Sequence, residues 1–190
     1  MKEYIDDVKK AVDVMRNGGI ILYPTDTIWG IGCDASNSAA VRRIFDLKRR
    51  SDSKSMLSLI DSDAKLGYYV PDIPDVAYDL MDLAEKPLTI IYDNVRHMAP
   101  ELIAEDGSAG IRVTREEFSQ ELCRRMGGAV VSTSANISGQ PSPANFSEIS
   151  QEILKGVDYI VEYRQSEQTR SVASGIIKLG SGGLVKVIRE

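Results

Sequence analysis

The sequence predicts an α/β fold: a single domain over residues 1–190, in which a twisted mixed sheet carries helices. Three observations predict it. Helical and strand-like periodicities alternate along most of the chain. The tail instead offers two strand-like runs around Gly180-Ser181-Gly182-Gly183. No linker, internal repeat or low-complexity stretch interrupts the 190 residues. A chain of this length buries roughly 70% of the surface it exposes when unfolded, enough for one core.

Each element has its own signal. Ile5, Val8, Val12 and Met15 recur at helical spacing, and Gly18-Gly19 supplies the stop. Ile20 to Tyr23 reads as a buried strand ended by Pro24. A second helix begins near Ser38, with Asn37 as N-cap and Val41, Ile44 and Phe45 on one face. Met56 to Ile60 is a strand, and Val76, Leu80, Met81 and Leu83 mark a further helix. Leu88 to Tyr92 and Gly110 to Val113 are strands. Thr114-Arg115-Glu116-Glu117 has the form of a capping box, so a helix is expected to about Met126. Ala129 to Ser132 returns as a strand, and a helix near Ser147 to Lys155 precedes a strand from Val157 to Val161. Ser174 to Leu179 and Leu184 to Ile188 flank the four permissive residues and form a hairpin. Strands separated by helices are expected to pair parallel, and the tail antiparallel.

Composition removes several function classes. Lys and Arg number 23 against 28 Asp and Glu, a formal charge of −5. A chain whose main business is coating nucleic acid is normally basic, so any anion site here is a local patch. The longest apolar run, Ile20 to Tyr23, is far short of the roughly 20 residues that span a bilayer. Glu3, Asp6 and Asp7 stand where a signal peptide needs apolar residues, so a cytoplasmic chain with no membrane partner is expected. Cys33 and Cys123 lie far apart in such a chain, which argues against a disulfide framework. His97 is the single histidine, so a Ser-His-Asp triad or a histidine metal site lacks material.

Three segments depart from this plain pattern. Pro24-Thr25-Asp26-Thr27-Ile28-Trp29-Gly30-Ile31-Gly32 follows the first strand. Ligands of open α/β sheets favour such strand ends, and two hydroxyls with an aspartate can hold a small polar molecule there. Arg42, Arg43, Lys48, Arg49, Arg50 and Lys54 crowd a stretch holding only Asp46 and Asp52 as acids. Arg42 and Arg49 suit a solvated helix face, whereas Lys48 and Arg50 sit where the helix ends. A compact ammonium beside a planar guanidinium suits phosphate oxygens. Ser132-Thr133-Ser134-Ala135-Asn136-Ile137-Ser138-Gly139 crowds hydroxyls and an amide at a third strand end, able to donate to anions without adding charge. Neither a Walker loop nor a Gly-x-Gly-x-x-Gly run is present.

In this order the segments resemble the threonylcarbamoyl-AMP synthase (YrdC/TsaC-like) family. Its marks are Pro-Thr-[Asp/Glu]-Thr, Lys-x-Arg and Ser-x-Asn, here Pro24-Thr25-Asp26-Thr27, Lys48-Arg49-Arg50 and Ser134-Ala135-Asn136. Gly110-Ile111-Arg112-Val113 matches the family's strand with its arginine, and the likeness runs from Asn17 to Arg189. Glu85-Lys86-Pro87-Leu88-Thr89 departs from the usual Pro-Gly-Pro-Leu-Thr, and Ser51 replaces the usual proline after Lys-x-Arg. After Arg112 the usual proline and histidine are also absent.

The resemblance implies an open, concave basic site where L-threonine, bicarbonate or CO2, and ATP become threonylcarbamoyl-adenylate and pyrophosphate. Downstream, that product would serve tRNA adenosine 37 through threonylcarbamoyl-transfer proteins. By the same resemblance Thr27, Arg112, Ser134 and Ser174 would hold threonine. Lys48, Arg50, Lys54, Ser108, Asn136 and Arg189 would hold ATP, with Mg2+ carried on its phosphates. Two other readings use the same residues. One is a double-stranded RNA-binding module without catalysis, which would show a steep salt dependence. The other is a carbamoyl-transfer accessory domain with no need for threonine.

Overall fold

The computed structural model describes residues 3–50, 56–180 and 183–190. Helix α1 (Ile5–Arg16) buries Val8, Ala11, Val12 and Met15, the stripe its spacing predicts, and the chain leaves it through Gly18 at φ +79°. Strand β1 (Ile21–Tyr23) then turns back into β2 (Gly30–Gly32), a strand absent from the sequence reading. Gly32 is required there. A Cβ would sit 2.6 Å from Tyr23 Cε1 and 2.6 Å from the Val131 carbonyl.

Helix α2 (Ser38–Leu47) starts on Asn37, whose side chain accepts from the Ala40 N–H at 3.0 Å. It ends in a Schellman motif without glycine. Arg49 takes φ +51°, its N–H reaches Asp46 O at 3.0 Å, and the Arg50 N–H reaches Phe45 O at 2.9 Å. Beyond it come β3 (Leu57–Ile60), the short α3 (Leu66–Tyr69) and α4 (Val76–Leu83). Strands β4 (Leu88–Tyr92) and β5 (Ala109–Val113) pair antiparallel and lead to α5 (Glu117–Met126).

The capping-box expectation at Thr114 is corrected. Glu116 is the N-cap of α5, its carboxylate accepting from Phe118 N at 3.1 Å and Ser119 N at 2.7 Å. Thr114 instead continues past β5, bonded through its N–H to Ile60 O, and is fully buried. Because α5 begins at Glu117, the capping position is Glu116, and Thr114 lies two residues too early.

Strand β6 (Val130–Ser134), α6 (Gln151–Gly156), β7 (Tyr159–Ile160) and the hairpin β8 (Gly175–Leu179) and β9 (Val185–Arg189) complete the chain. The sheet runs β7-β1-β2-β6-β3-β5-β4-β8-β9. The consecutive strands that pair, β1/β2, β4/β5 and β8/β9, are antiparallel. The parallel pairs, β1/β7, β3/β5 and β4/β8, join strands distant in sequence. Side chains in register share a face, so Gly110, Leu57 and Ser132 form one row across β5, β3 and β6. A register shift between Ile176 and Ile177 sets Arg189 opposite Ile176 and Val187 opposite Ile177, which turns those two side chains to opposite faces.

Candidate active site

Thr27, Arg112, Ser134, Ser174 and Arg189 come from five separate stretches of chain and line one cavity of about 80 Å3. Trp29, Gly30, Leu57, Ser132 and Ser142 complete much of its wall. Each side chain has a local reason for its place. Thr27 follows β1 in a turn held by Thr25, whose hydroxyl donates to Ile28 O at 2.7 Å and accepts from Thr27 N at 3.0 Å. Arg112 shares its β5 face with Gly110, so the neighbouring position along that face adds no bulk. Trp29 is buried against Phe146, with ring centroids 4.9 Å apart, and forms a fixed wall.

Arg112 is 2% exposed, yet its guanidinium is only partly committed. Nη2 lies 2.9 Å from Asp26 Oδ1 and 3.4 Å from Thr27 Oγ1, while Nη1 lies 3.5 Å from Thr89 Oγ1. Its Nε has no hydrogen-bond partner. Thr89 also meets the Ser174 hydroxyl at 2.9 Å, and Arg189 Nε donates to Ser174 O at 2.8 Å. Burial and the neighbouring Arg112 charge both lower the pKa of Arg189 from its usual value. Two guanidinium groups therefore crowd one hydroxyl-lined recess, where an anion relieves their repulsion.

The second cationic group adjoins the Ser134 side of this cavity. The Lys48 ammonium is 1% exposed and donates to the carbonyls of Ser134 and Asn136, the latter at 2.7 Å. Ser138 N donates to Lys48 O at 2.9 Å, so the end of α2 and the 134–138 loop are laced together. Burial, and then the charge of Arg50, bring the Lys48 pKa from 10.5 down to about 8. Two of the three ammonium hydrogens hold the loop, and the side chain itself does not line the recess.

Asn136 is a loop brace here. Its Nδ2 donates to Ile137 O at 3.0 Å and Gln140 O at 2.8 Å, and its Oδ1 accepts from Ser142 at 3.5 Å. Ser108 stands four residues before Arg112, roughly 13 Å along the strand, with its hydroxyl on Asp106 at 2.6 Å. The structure does not bring it to the cavity. Lys54 lies outside the described residues.

Thr89 is absent from the site residues that the sequence offers, whereas Ser132 belongs to the hydroxyl-rich segment it singles out. Thr89 carried a usable signal, a hydroxyl embedded in the apolar run Leu88–Tyr92 on a strand. The sequence offers Asp26 as a ligand-facing group, but it lines a different cavity from Arg112.

Among the described residues no helix is long and apolar enough to cross a membrane. A family model named Sua5/YciO/YrdC and described as "Telomere recombination" matches residues 13–190. Curated relatives include a threonylcarbamoyl-AMP synthase of Stenotrophomonas maltophilia, 35% identical over 85% of this chain and 88% of its own. A putative threonylcarbamoyl-AMP synthase of Methanocaldococcus jannaschii is 32% identical over 98% of this chain and 85% of its own. Among solved structures, E. coli YciO superposes with a TM-score of 0.84 at 24% identity, covering 97% of this chain and 89% of that one. P. abyssi Sua5 complexed with L-threonine gives 0.81 at 24% identity, with 96% of this chain matched to 53% of the larger one. At these identities the two structures speak for the fold. The family match over most of the chain, and relatives above 30% identity, decide the matter: the chain belongs to the Sua5/YciO/YrdC family.

Proposed function

We propose that this chain is a threonylcarbamoyl-AMP synthase, joining L-threonine, bicarbonate or CO2, and ATP into threonylcarbamoyl-adenylate with release of pyrophosphate. The observation that carries the reading is the convergence of Thr27, Arg112, Ser134, Ser174 and Arg189 on one small recess, with the Lys48 ammonium behind its Ser134 edge. The names borne by the curated relatives agree with it, and P. abyssi Sua5 has been seen with L-threonine.

The chemistry asks little covalent work of the protein. The threonine amine adds to CO2 and loses a proton, giving a carbamate. A carbamate oxygen then attacks the α-phosphorus of ATP, and pyrophosphate leaves. Catalysis of this kind is positioning and charge neutralisation. Arg112 receives the threonine carboxylate, for which its Nε–H is unpaired. Thr27, Ser134 and Ser174 take the remaining polar groups of the amino acid. The recess is too small for a nucleotide, so the triphosphate lies outside it, toward Lys48, Arg50, Lys54 and Arg189, with Mg2+ arriving as part of the MgATP substrate. Asn136 keeps the loop in shape beneath the nucleotide, and Ser108 belongs to the same proposal at the outer end of β5. The product would pass, in the cytoplasm, to proteins that modify tRNA.

Pyrophosphate release from purified protein tests this. Release is expected only when threonine, bicarbonate and MgATP are all present. Equal release without threonine would favour the carbamoyl-transfer reading and refute this one.

A further inference from the structure

Asp26 sits in the motif that carries Thr27, yet it faces elsewhere. Arg112 lines the small recess, whereas Asp26 lines a separate cavity of about 480 Å3 with Asp61, Thr114 and Arg115. Between the two cavities its carboxylate forms an ion pair with Arg112, Oδ1 lying 2.9 Å from Nη2 without the geometry of a hydrogen bond, and the two side chains are 12% and 2% exposed. The remaining anchors of the guanidinium are long, at 3.4 Å to Thr27 and 3.5 Å to Thr89. Asp26 therefore makes the shortest of these contacts with Arg112 and supplies the charge that offsets it. Arg189 adds a second cation on the recess side, which increases the need for a negative group behind Arg112. Burial raises the Asp26 pKa, and the Arg112 charge opposes that rise.

We infer that Asp26 is a positioning residue for threonine recognition, acting from behind the recess to fix the Arg112 guanidinium so that its unpaired edge meets the substrate carboxylate. The inference rests on the proposed function, and it separates Asp26 from every group that touches substrate. A guanidinium reads a carboxylate only when it is held in place beforehand, and the buried counter-charge of Asp26 holds it here. Loss of the carboxylate should weaken threonine recognition and leave ATP recognition in place, because the Lys48 group draws its order from the 134–138 loop.

The test is a pyrophosphate-release assay on Asp26→Asn and Asp26→Glu, each checked for fold by circular dichroism. Asp26→Asn should raise the threonine KM by about tenfold, a mispositioned charge-assisted contact, with the ATP KM within about twofold of wild type. Asp26→Glu keeps the charge but shifts it by one methylene, and should fall between the two. A folded Asn variant with unchanged threonine KM overturns the inference, as does a rise in both KM values together. If Asn does not fold, Glu decides: a threonine KM equal to wild type overturns the inference, and a selective rise of about threefold supports it. A wild-type protein with no threonine dependence fails the functional reading and this inference with it. A threonine-dependent wild type beside unaffected variants fails this inference alone.

Discussion

Replacing Lys48 with methionine removes a buried ammonium and keeps a stem of similar length. The geometry gives two opposing terms. The ammonium donates to Ser134 O and Asn136 O, and a hydrogen bond to a charged group contributes roughly 1.5–3 kcal/mol, so the pair amounts to about 4 kcal/mol. Against this, burial and Arg50 bring the lysine pKa from 10.5 to about 8. Burial makes the charge itself costly, and methionine recovers part of that cost. The net expectation is a loss of less than about 4 kcal/mol, each kcal/mol lowering the melting temperature by about 2–4 °C in a chain of this size. Activity should suffer far more, with both threonine and ATP affected, because Ser134 on the recess and Asn136 beneath the nucleotide share the loop that Lys48 holds. Thermal unfolding and a steady-state KM for each substrate measure the two sides. If Lys48 served only as a phosphate ligand, methionine would raise the melting temperature, the burial penalty being gone with no hydrogen bond lost. It would then change the ATP KM alone. That pair of results would refute the loop-holding role.

The same lysine predicts a pH dependence. The unfolded chain holds this proton up to about pH 10.5 and the folded chain only to about 8, so the unfolded state binds more protons between those values. Its contribution to stability therefore rises with pH across that window, while the ammonium that organises the loop is lost. A kcat/KM profile should show an alkaline limb near pH 8 without loss of fold, and Lys48→Arg should move the limb upward if it remains active. Arg49→Gly tests the helix end. Relief of a residue at φ +51° gains about 1 kcal/mol, less a few tenths for the exposed ion pair to Glu152. The urea midpoint should rise with an unchanged m-value, and a fall would contradict the strain argument.

Much of the fold was legible because its signals are local. Helix α1 shows its stripe in Val8, Val12 and Met15, Asn37 caps α2 as its position predicts, and the tail hairpin follows from two runs around glycines. The misses share a cause. Strand β2 is Gly-Ile-Gly, one strand former between two glycines, and it is held as a strand by pairing with β1 on one side and the distant β6 on the other. Thr114 has the spacing of a cap, but its N–H is already bound to Ile60 O, and Glu116 caps instead. In both cases a partner far away in sequence overrode the local preference.

The candidate site divides along the same line. Residue types at strand ends, an acid-poor run at Lys48-Arg49-Arg50 and the ordered motifs were enough to name the chemistry, since chemistry depends on which groups are present. Which of them touch was decided by the sheet. Antiparallel pairing of β4 with β5 and parallel pairing of β4 with β8 bring Arg112, Thr89 and Ser174 together. The shifted register of β9 then brings Arg189 onto Ser174. The assignment of Asp26 to the far side of Arg112, and of Lys48 to two loop carbonyls, also came only with the fold. A side chain's direction depends on register and burial, and these are set by strands as far apart in the chain as β4 and β8, where Leu88 pairs with Gly175.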